Sequence, residues 1–226
     1  MTSNFRVLGA GVWGLAFSDY LLKLGHNVDI FCRDTNLSNK DITGLELSHV
    51  SDNNIKSLDT LNAQKSNGEI NIIAVNSKGF SELLKKHESY FSTLNELISL
   101  TKGLDHSSGK YFSDYVSDMF SNIKKYGLIS GPSFAKDLCY EKNISVSFAT
   151  LSDELSNLMV DTTKSSYFEM MPTKYIYQIE IAGVIKNIAA ILCGMADKYF
   201  NKGIHSNMII KIACQETWQR GIEIFN

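Results

Sequence analysis

Five stretches of this chain hold residue types whose spacing can do chemistry. The first is Gly9-Ala10-Gly11-Val12-Trp13-Gly14. It follows the apolar residues Phe5, Val7 and Leu8 and leads into a helical stripe of Leu15, Ala16, Tyr20, Leu21 and Leu24. In such a run Gly9 permits a tight turn, Gly11 lets backbone approach a pyrophosphate, and Gly14 lets the helix pack against the strand. The amides and positive dipole end of the helix then receive phosphates. Gly25 reads as the helix's C-terminal cap and Val28-Asp29-Ile30-Phe31 as a second strand, which completes one βαβ unit. That unit is expected to bind a dinucleotide.

Of the other four stretches, three sit where strands are expected to end and the fourth lies in an apolar helix. Arg33 follows the second strand, where an acid would hold the ribose hydroxyls of NAD and a cation suits the 2′-phosphate of NADP. Asp34 beside it can still reach a ribose, so NADP or NAD stays open, with Arg33 tilting the choice toward NADP. Thr101-Lys102-Gly103 presents an ammonium that can hold a phosphate or a carbonyl oxygen, unless it is an ordinary turn lysine. Ser130-Gly131-Pro132-Ser133-Phe134-Ala135 reads as strand, turn and helix start, with Ser133 as a cap or with backbone amides facing a ligand. Lys186 and Asn187 stand inside the apolar run Ile181 to Ala190. A lysine there either reaches to solvent or is held in a cleft with a lowered pKa, as an acid and base.

These residues need elements to position them. Beyond the first unit the pattern alternates: residues 36 to 68 are polar and read as loop, then come strands at 70–75, 94–100, 126–129, 144–149 and 167–171, with helices at 81–87, 111–120 and 152–164. Such alternation argues an α/β fold with a doubly wound sheet of Rossmann type. At Pro172 the character changes, and a long buried helix over 175–199 and another over 206–225 are expected. The boundary divides a dinucleotide-binding domain, 1–172, from a short all-α segment, 173–226.

Composition excludes several classes. With 226 residues, 44% of them hydrophobic, 20% charged, and a formal charge of −2, the chain lacks the positive excess of a nucleic-acid binder and the polarity of a disordered protein. The N-terminus enters a strand at once, so no signal peptide is expected, and no apolar run reads as long enough to span a bilayer. Cys32, Cys139, Cys193 and Cys214 have no C-x-x-C spacing. No metal site is expected, and free thiols point to a reducing cytoplasm.

Taken in order, Gly9–Gly14, Thr101-Lys102-Gly103, Gly131-Pro132-Ser133-Phe134-Ala135 and Glu180-Ile181-Ala182-Gly183-Val184-Ile185-Lys186-Asn187 resemble the NAD(P)-dependent glycerol-3-phosphate dehydrogenase family. The resemblance covers nearly the whole chain. It implies that Gly9, Gly11, Val12, Trp13, Gly14, Arg33, Lys102 and Ala135 meet the cofactor. It further implies that Lys102, Gly131, Ser133 and Asn187 meet a phosphorylated triose, and that Lys186 donates and accepts the proton. The chain also departs from the family. The family continues past Asn226 into a part that supplies an aspartate and an arginine-asparagine pair. Ile204 and Ile212 fall where the family tends to polar residues, and residues 198–202 replace a glycine-rich link. Asn76 stands for a proline and Asp137 for a glutamate. A homodimer whose neighbour closes the site, a nucleotide-binding protein without turnover, and a reductase of another small carbonyl compound are the readings these departures open. If Arg33 selects the cofactor, Arg33→Ala lowers affinity for NADPH much more than for NADH in a fluorescence titration. Equal loss for both would end the argument.

Overall fold

A computed structural model of the chain describes residues 2–35, 44–61, 68–200 and 203–225, with backbone alone at 204 and 222–225. The opening unit is β1 (Asn4–Leu8), α1 (Val12–Lys23) and β2 (Asn27–Cys32). Then come β3 (Ile55–Ser57), β4 (Glu69–Ile73), α2 (Ser77–Lys86), α3 (Glu88–Phe91), β5 (Glu96–Ser99), α4 (Phe112–Met119) and β6 (Lys125–Ser130). The sheet is completed by α5 (Ala135–Cys139), β7 (Ile144–Thr150), α6 (Asp153–Thr163) and β8 (Phe168–Thr173), after which come α7 (Ile176–Tyr199) and α8 (Ile204–Phe225).

Among the described residues, eight strands share one sheet in the order β3-β2-β1-β4-β5-β6-β7-β8. β1 pairs in parallel with both β2 and β4, so the winding reverses between β1 and β4. A crevice opens at the carboxyl ends of the strands where the order reverses. Helices cover both faces. One apolar cluster joins Phe17, Tyr20, Leu21, Val146, Phe148 and Phe168, and the other joins Phe80, Leu84, Tyr90, Phe91, Phe112 and Val116. The strands are apolar on both sides because each face is buried.

Local chemistry sets where the helices stop and start. Gly25, at φ +85°, and His26 return their amides to Leu22 and Leu21, which closes the end of α1 as its sequence position predicts. Asn76 accepts the Gly79 amide at 2.9 Å to start α2, and Ser152 accepts that of Leu155 at 3.2 Å to start α6.

The structure corrects the sequence reading in several places. β7 runs antiparallel to β6, because α5 has five residues and rises only about 7–8 Å. The chain is not carried back across the sheet, and β7 sets out from the edge where β6 ended. The polar stretch 36–68 contains β3, paired with β2, whereas its parts 36–43 and 62–67 lie outside the described residues. Residues leading to β3 are held by the buried Asp19 of α1, which accepts the amides of His49 at 2.6 Å and Val50 at 2.8 Å. Pro172 is part of β8, opposite Phe148, rather than beyond the sheet.

The long helix is buried mainly in its first half, with Ala196 covered in its second. Gln178, Glu180, Ile181 and Gly183 are covered, but Ile188 is 56% exposed and Ile191 66%, because the second half runs past the sheet. With 24 residues and a mean hydropathy of 1.7 over its most apolar window, α7 is also long and apolar enough to cross a membrane, contrary to the expectation from sequence. α8 packs back along it, with Gly221 against Gln178 and the Tyr175 and Trp218 rings 5.7 Å apart.

Packing leaves no room at Gly14, where a Cβ would stand 2.2 Å from the Gly9 carbonyl oxygen and 3.0 Å from Ala74 Cβ. Gly14→Ala is therefore expected to cost about 1–3 kcal/mol in urea denaturation, as overpacked sites do. An unchanged midpoint would show that α1 has room to move.

Candidate active site

Backbone holds the glycine turn from both sides. Gly9 has φ +124°, a conformation that suits glycine, and its amide donates to the Phe31 carbonyl of β2 at 2.8 Å. On the other flank the Ala74 amide donates to Leu8 at 2.8 Å. Gly11 has different reasons for being glycine. Its φ is −72°, it is exposed, and among the described residues a Cβ there would meet nothing nearer than the Ala74 oxygen, at 3.8 Å. Neither strain nor packing demands a bare backbone at Gly11, whereas close approach by a ligand does. No side chain among the described residues caps α1 and its first turn carries no acid, so the amide end is left for an anion. These residues fit the pyrophosphate of a dinucleotide.

Trp13 bridges this turn to the next. Its indole N–H donates to the Ser133 carbonyl at 3.1 Å, tying the start of α1 to the turn before α5. The Ser133 amide donates to Gly131 at 2.9 Å. Ser133 is not the helix cap, one of the two roles its sequence position allows. α5 starts at Ala135 with Phe134 as N-cap, while the Ser133 backbone is engaged in its own turn and with Trp13. Gly131 has a packing reason to be glycine, since a Cβ would stand 3.0 Å from Val146 Cα. Ala135 is buried, whereas Val12 and Phe134 expose apolar surface at the two helix starts.

Lys102 reaches the same place from β5. Thr101 before it is buried and donates its hydroxyl to the Val75 carbonyl at 2.9 Å, which fixes the turn. The Lys102 ammonium stands 5.8 Å from the centre of the Trp13 ring. Burial first, and the neighbouring charge of Lys186 second, pull its pKa down to about 8. On α7, Gly183 lies against the stem of Lys102, with a Cβ there 3.6 Å from Lys102 Cβ. Lys186, three residues on and therefore on the same side of the helix, is exposed, as is Asn187. Two mutually repelling ammonium groups at one crevice favour an anion between them. Arg33, exposed just past the end of β2, stands across β1 from this group.

One residue of the arrangement carries no role in the sequence reading. Glu180 of α7 is 4% exposed, and its carboxylate accepts the Ser113 amide at 3.1 Å and the Ser113 hydroxyl at 2.5 Å. Burial drives its pKa up to about 7 against the opposing pull of these bonds. Its signal was present in the chain, since a carboxylate within an apolar helix needs an explanation as much as Lys186 does.

Residues 4–156 match the family model described as NAD-dependent glycerol-3-phosphate dehydrogenase N-terminus. The chain is 30% identical over 197 residues to a glycerol-3-phosphate dehydrogenase [NAD(P)+] of Rickettsia bellii, covering 85% of this chain and 62% of that protein. It is 28% identical over 222 residues to one of Francisella tularensis subsp. novicida, covering 93% and 65%. The chain thus spans less than two thirds of the length of these curated relatives. The fold is shared with the glycerol-3-phosphate dehydrogenases of Coxiella burnetii, with TM-score 0.76, 21% identity and 100% and 70% coverage, and Plasmodium falciparum, with TM-score 0.79, 21% identity and 99% and 67% coverage.

Gly11 separates ligand from packing. Gly11→Ala is expected to leave stability within about 1 kcal/mol, because its φ and surroundings tolerate a methyl. It is expected to weaken NADPH binding about tenfold or more, because an added methyl stands where the pyrophosphate must come close. Unchanged affinity in a calorimetric titration would refute this account of the turn.

Proposed function

Because the chain belongs to the NAD-dependent glycerol-3-phosphate dehydrogenase family, we propose that it interconverts dihydroxyacetone phosphate and sn-glycerol 3-phosphate with NADPH or NADH. The observation that carries this reading is the placement of Lys102 beside Lys186, Trp13 and the Ser133 turn, next to the glycine turn. A bound, reduced nicotinamide supplies hydride to C2 of the substrate. The Lys186 ammonium stabilises the C2 oxygen as it becomes an alkoxide and gives it the proton. In reverse, the neutral amine takes the proton from the C2 hydroxyl. Lys102, together with Gly131, Ser133 and Asn187, holds the substrate, and Lys102 keeps most of its charge at neutral pH despite its lowered pKa.

In this reading Gly9, Gly11, Val12, Trp13, Gly14 and Ala135 seat the cofactor, and Arg33 selects NADP through the 2′-phosphate. We divide the chain at Pro172 into a cofactor domain, 1–172, and a helical segment, 173–226. Its buried Glu180 and its packing on β6 and β7 support α7 as a helix docked on protein, not inserted in a membrane. The thiols of the four cysteines are unpaired, which supports a cytoplasmic setting. A second copy of the chain is our candidate to cover the apolar side chains of Ile188, Ile191, Met208 and Trp218, which are 56%, 66%, 63% and 53% exposed. Sedimentation equilibrium is expected to show a dimer, and a monomer across the accessible concentration range would rule it out.

A second reading, a nucleotide-binding protein without turnover, is favoured by Ile212, which is exposed where the resemblance leads one to expect a polar residue. Steady-state oxidation of NADPH with dihydroxyacetone phosphate decides between the two. Turnover is expected, with Lys186→Ala lowering kcat by about 10²–10⁴ while cofactor affinity stays within about twofold. Cofactor binding without oxidation would leave the second reading standing, and full turnover in Lys186→Ala would show that another group moves the proton.

A further inference from the structure

α4 begins after Tyr111, whose side chain makes no cap. The first amides of a helix need acceptors from elsewhere. Glu180 supplies one from another helix, taking the Ser113 amide at 3.1 Å and the Ser113 hydroxyl at 2.5 Å. A carboxylate is costly to bury without such bonds, and an apolar side chain would cover the same area more cheaply. What a carboxylate adds is direction, because hydrophobic burial fixes no angle whereas hydrogen bonds to a helix end fix one.

The two ends of this contact differ in firmness. α4 is anchored in the core through Phe112, Tyr115 and Val116. Along its first half α7 is held by Ile181, by the Tyr177 hydroxyl donating to Asp114 at 2.7 Å, and by Glu180, and beyond Lys186 it packs along α8, with Ala196 buried and Ile188 and Ile191 exposed. Glu180 lies six residues before Lys186, about 9 Å along the helix axis. Any tilt or rotation at this attachment is carried along the helix to Lys186.

We propose that Glu180 is a positioning residue, a latch between α7 and the start of α4 that sets where Lys186 stands in the crevice. This rests on the reading of Lys186 as the proton donor and acceptor. Glu180→Ala removes the latch, and the Tyr177 bond and Ile181 remain to keep the helix docked. Glu180→Gln keeps an oxygen for the Ser113 amide. Three readouts serve both variants in the full chain: amide hydrogen exchange over 112–113 and 176–187, NADPH affinity, and kcat with dihydroxyacetone phosphate.

In Glu180→Ala, exchange in both segments is expected to rise about tenfold and kcat to fall about tenfold or more, since small misplacements of a reacting group are costly. NADPH affinity is expected to stay within about twofold, because the glycine turn is untouched. Glu180→Gln is expected to recover most of both losses. Unchanged exchange in Glu180→Ala overturns the latch. So does unchanged kcat despite faster exchange, and so does equal loss of kcat and NADPH affinity in both variants, which marks general unfolding. If the unaltered chain shows no turnover, the dehydrogenase reading fails by itself. The latch is then judged by exchange and by the rate at which an activated ester acylates Lys186, read by mass spectrometry. Both must rise in Glu180→Ala and return in Glu180→Gln, or the latch is refuted.

Discussion

The seat of α1 on the ends of β1 and β4 is the constraint on which the rest of this structure depends. Gly14 lies against the Gly9 carbonyl and Ala74 with no space for a Cβ, and the Gly9 amide is tied across to Phe31 of β2. Three strands and one helix are thus locked together at the point where the winding of the sheet reverses. A helix seated this closely aims its uncapped amides at the crevice, and its dipole adds to the attraction for an anion. A small increase in the separation would loosen the turn and the anion site together.

The rest of the crevice is assembled on that seat by single contacts between elements distant in sequence. Trp13 reaches the Ser133 carbonyl and stands beside Lys102, so one residue of the glycine turn touches two of the other chemical stretches. Gly183 lets α7 come against the stem of Lys102, which brings Lys186 within range of its charge. The result is a concentration of positive charge beside an open amide end. It suits ligands carrying phosphate. α7 belongs to this crevice through its first half, whereas Ile188, Ile191, Leu192 and Met195 of its second half, with Met208, Ile210, Ile212 and Trp218 of α8, remain on the surface.

Much of this was legible along the chain wherever the signal is local. Phe5, Val7 and Leu8 before the glycines and Leu15, Ala16 and Tyr20 after them mark strand and helix by period alone. Gly25 marks the end of α1 by its tolerance of positive φ. Where the cause is long-range the pattern is silent. β3 is three residues long and exists because β2 offers it an edge, and the residues before it are held by Asp19, thirty positions away. The direction of β7 depends on how far α5 carries the chain. Ser133 has the composition of a cap but serves a turn, because the helix starts two residues later.

The sequence by itself determined the nucleotide-binding unit, the alternating α/β architecture, and the residue types able to meet phosphates and move a proton. Those properties follow from backbone geometry and side-chain chemistry over a few neighbouring residues. Only the tertiary structure decided which of them meet. It put the lowered pKa on Lys102, since that shift arises from burial and from a charge eighty-four positions away. It also placed Glu180 under α4, because hydrogen bonds between helices depend on how whole elements pack and leave no period in the chain.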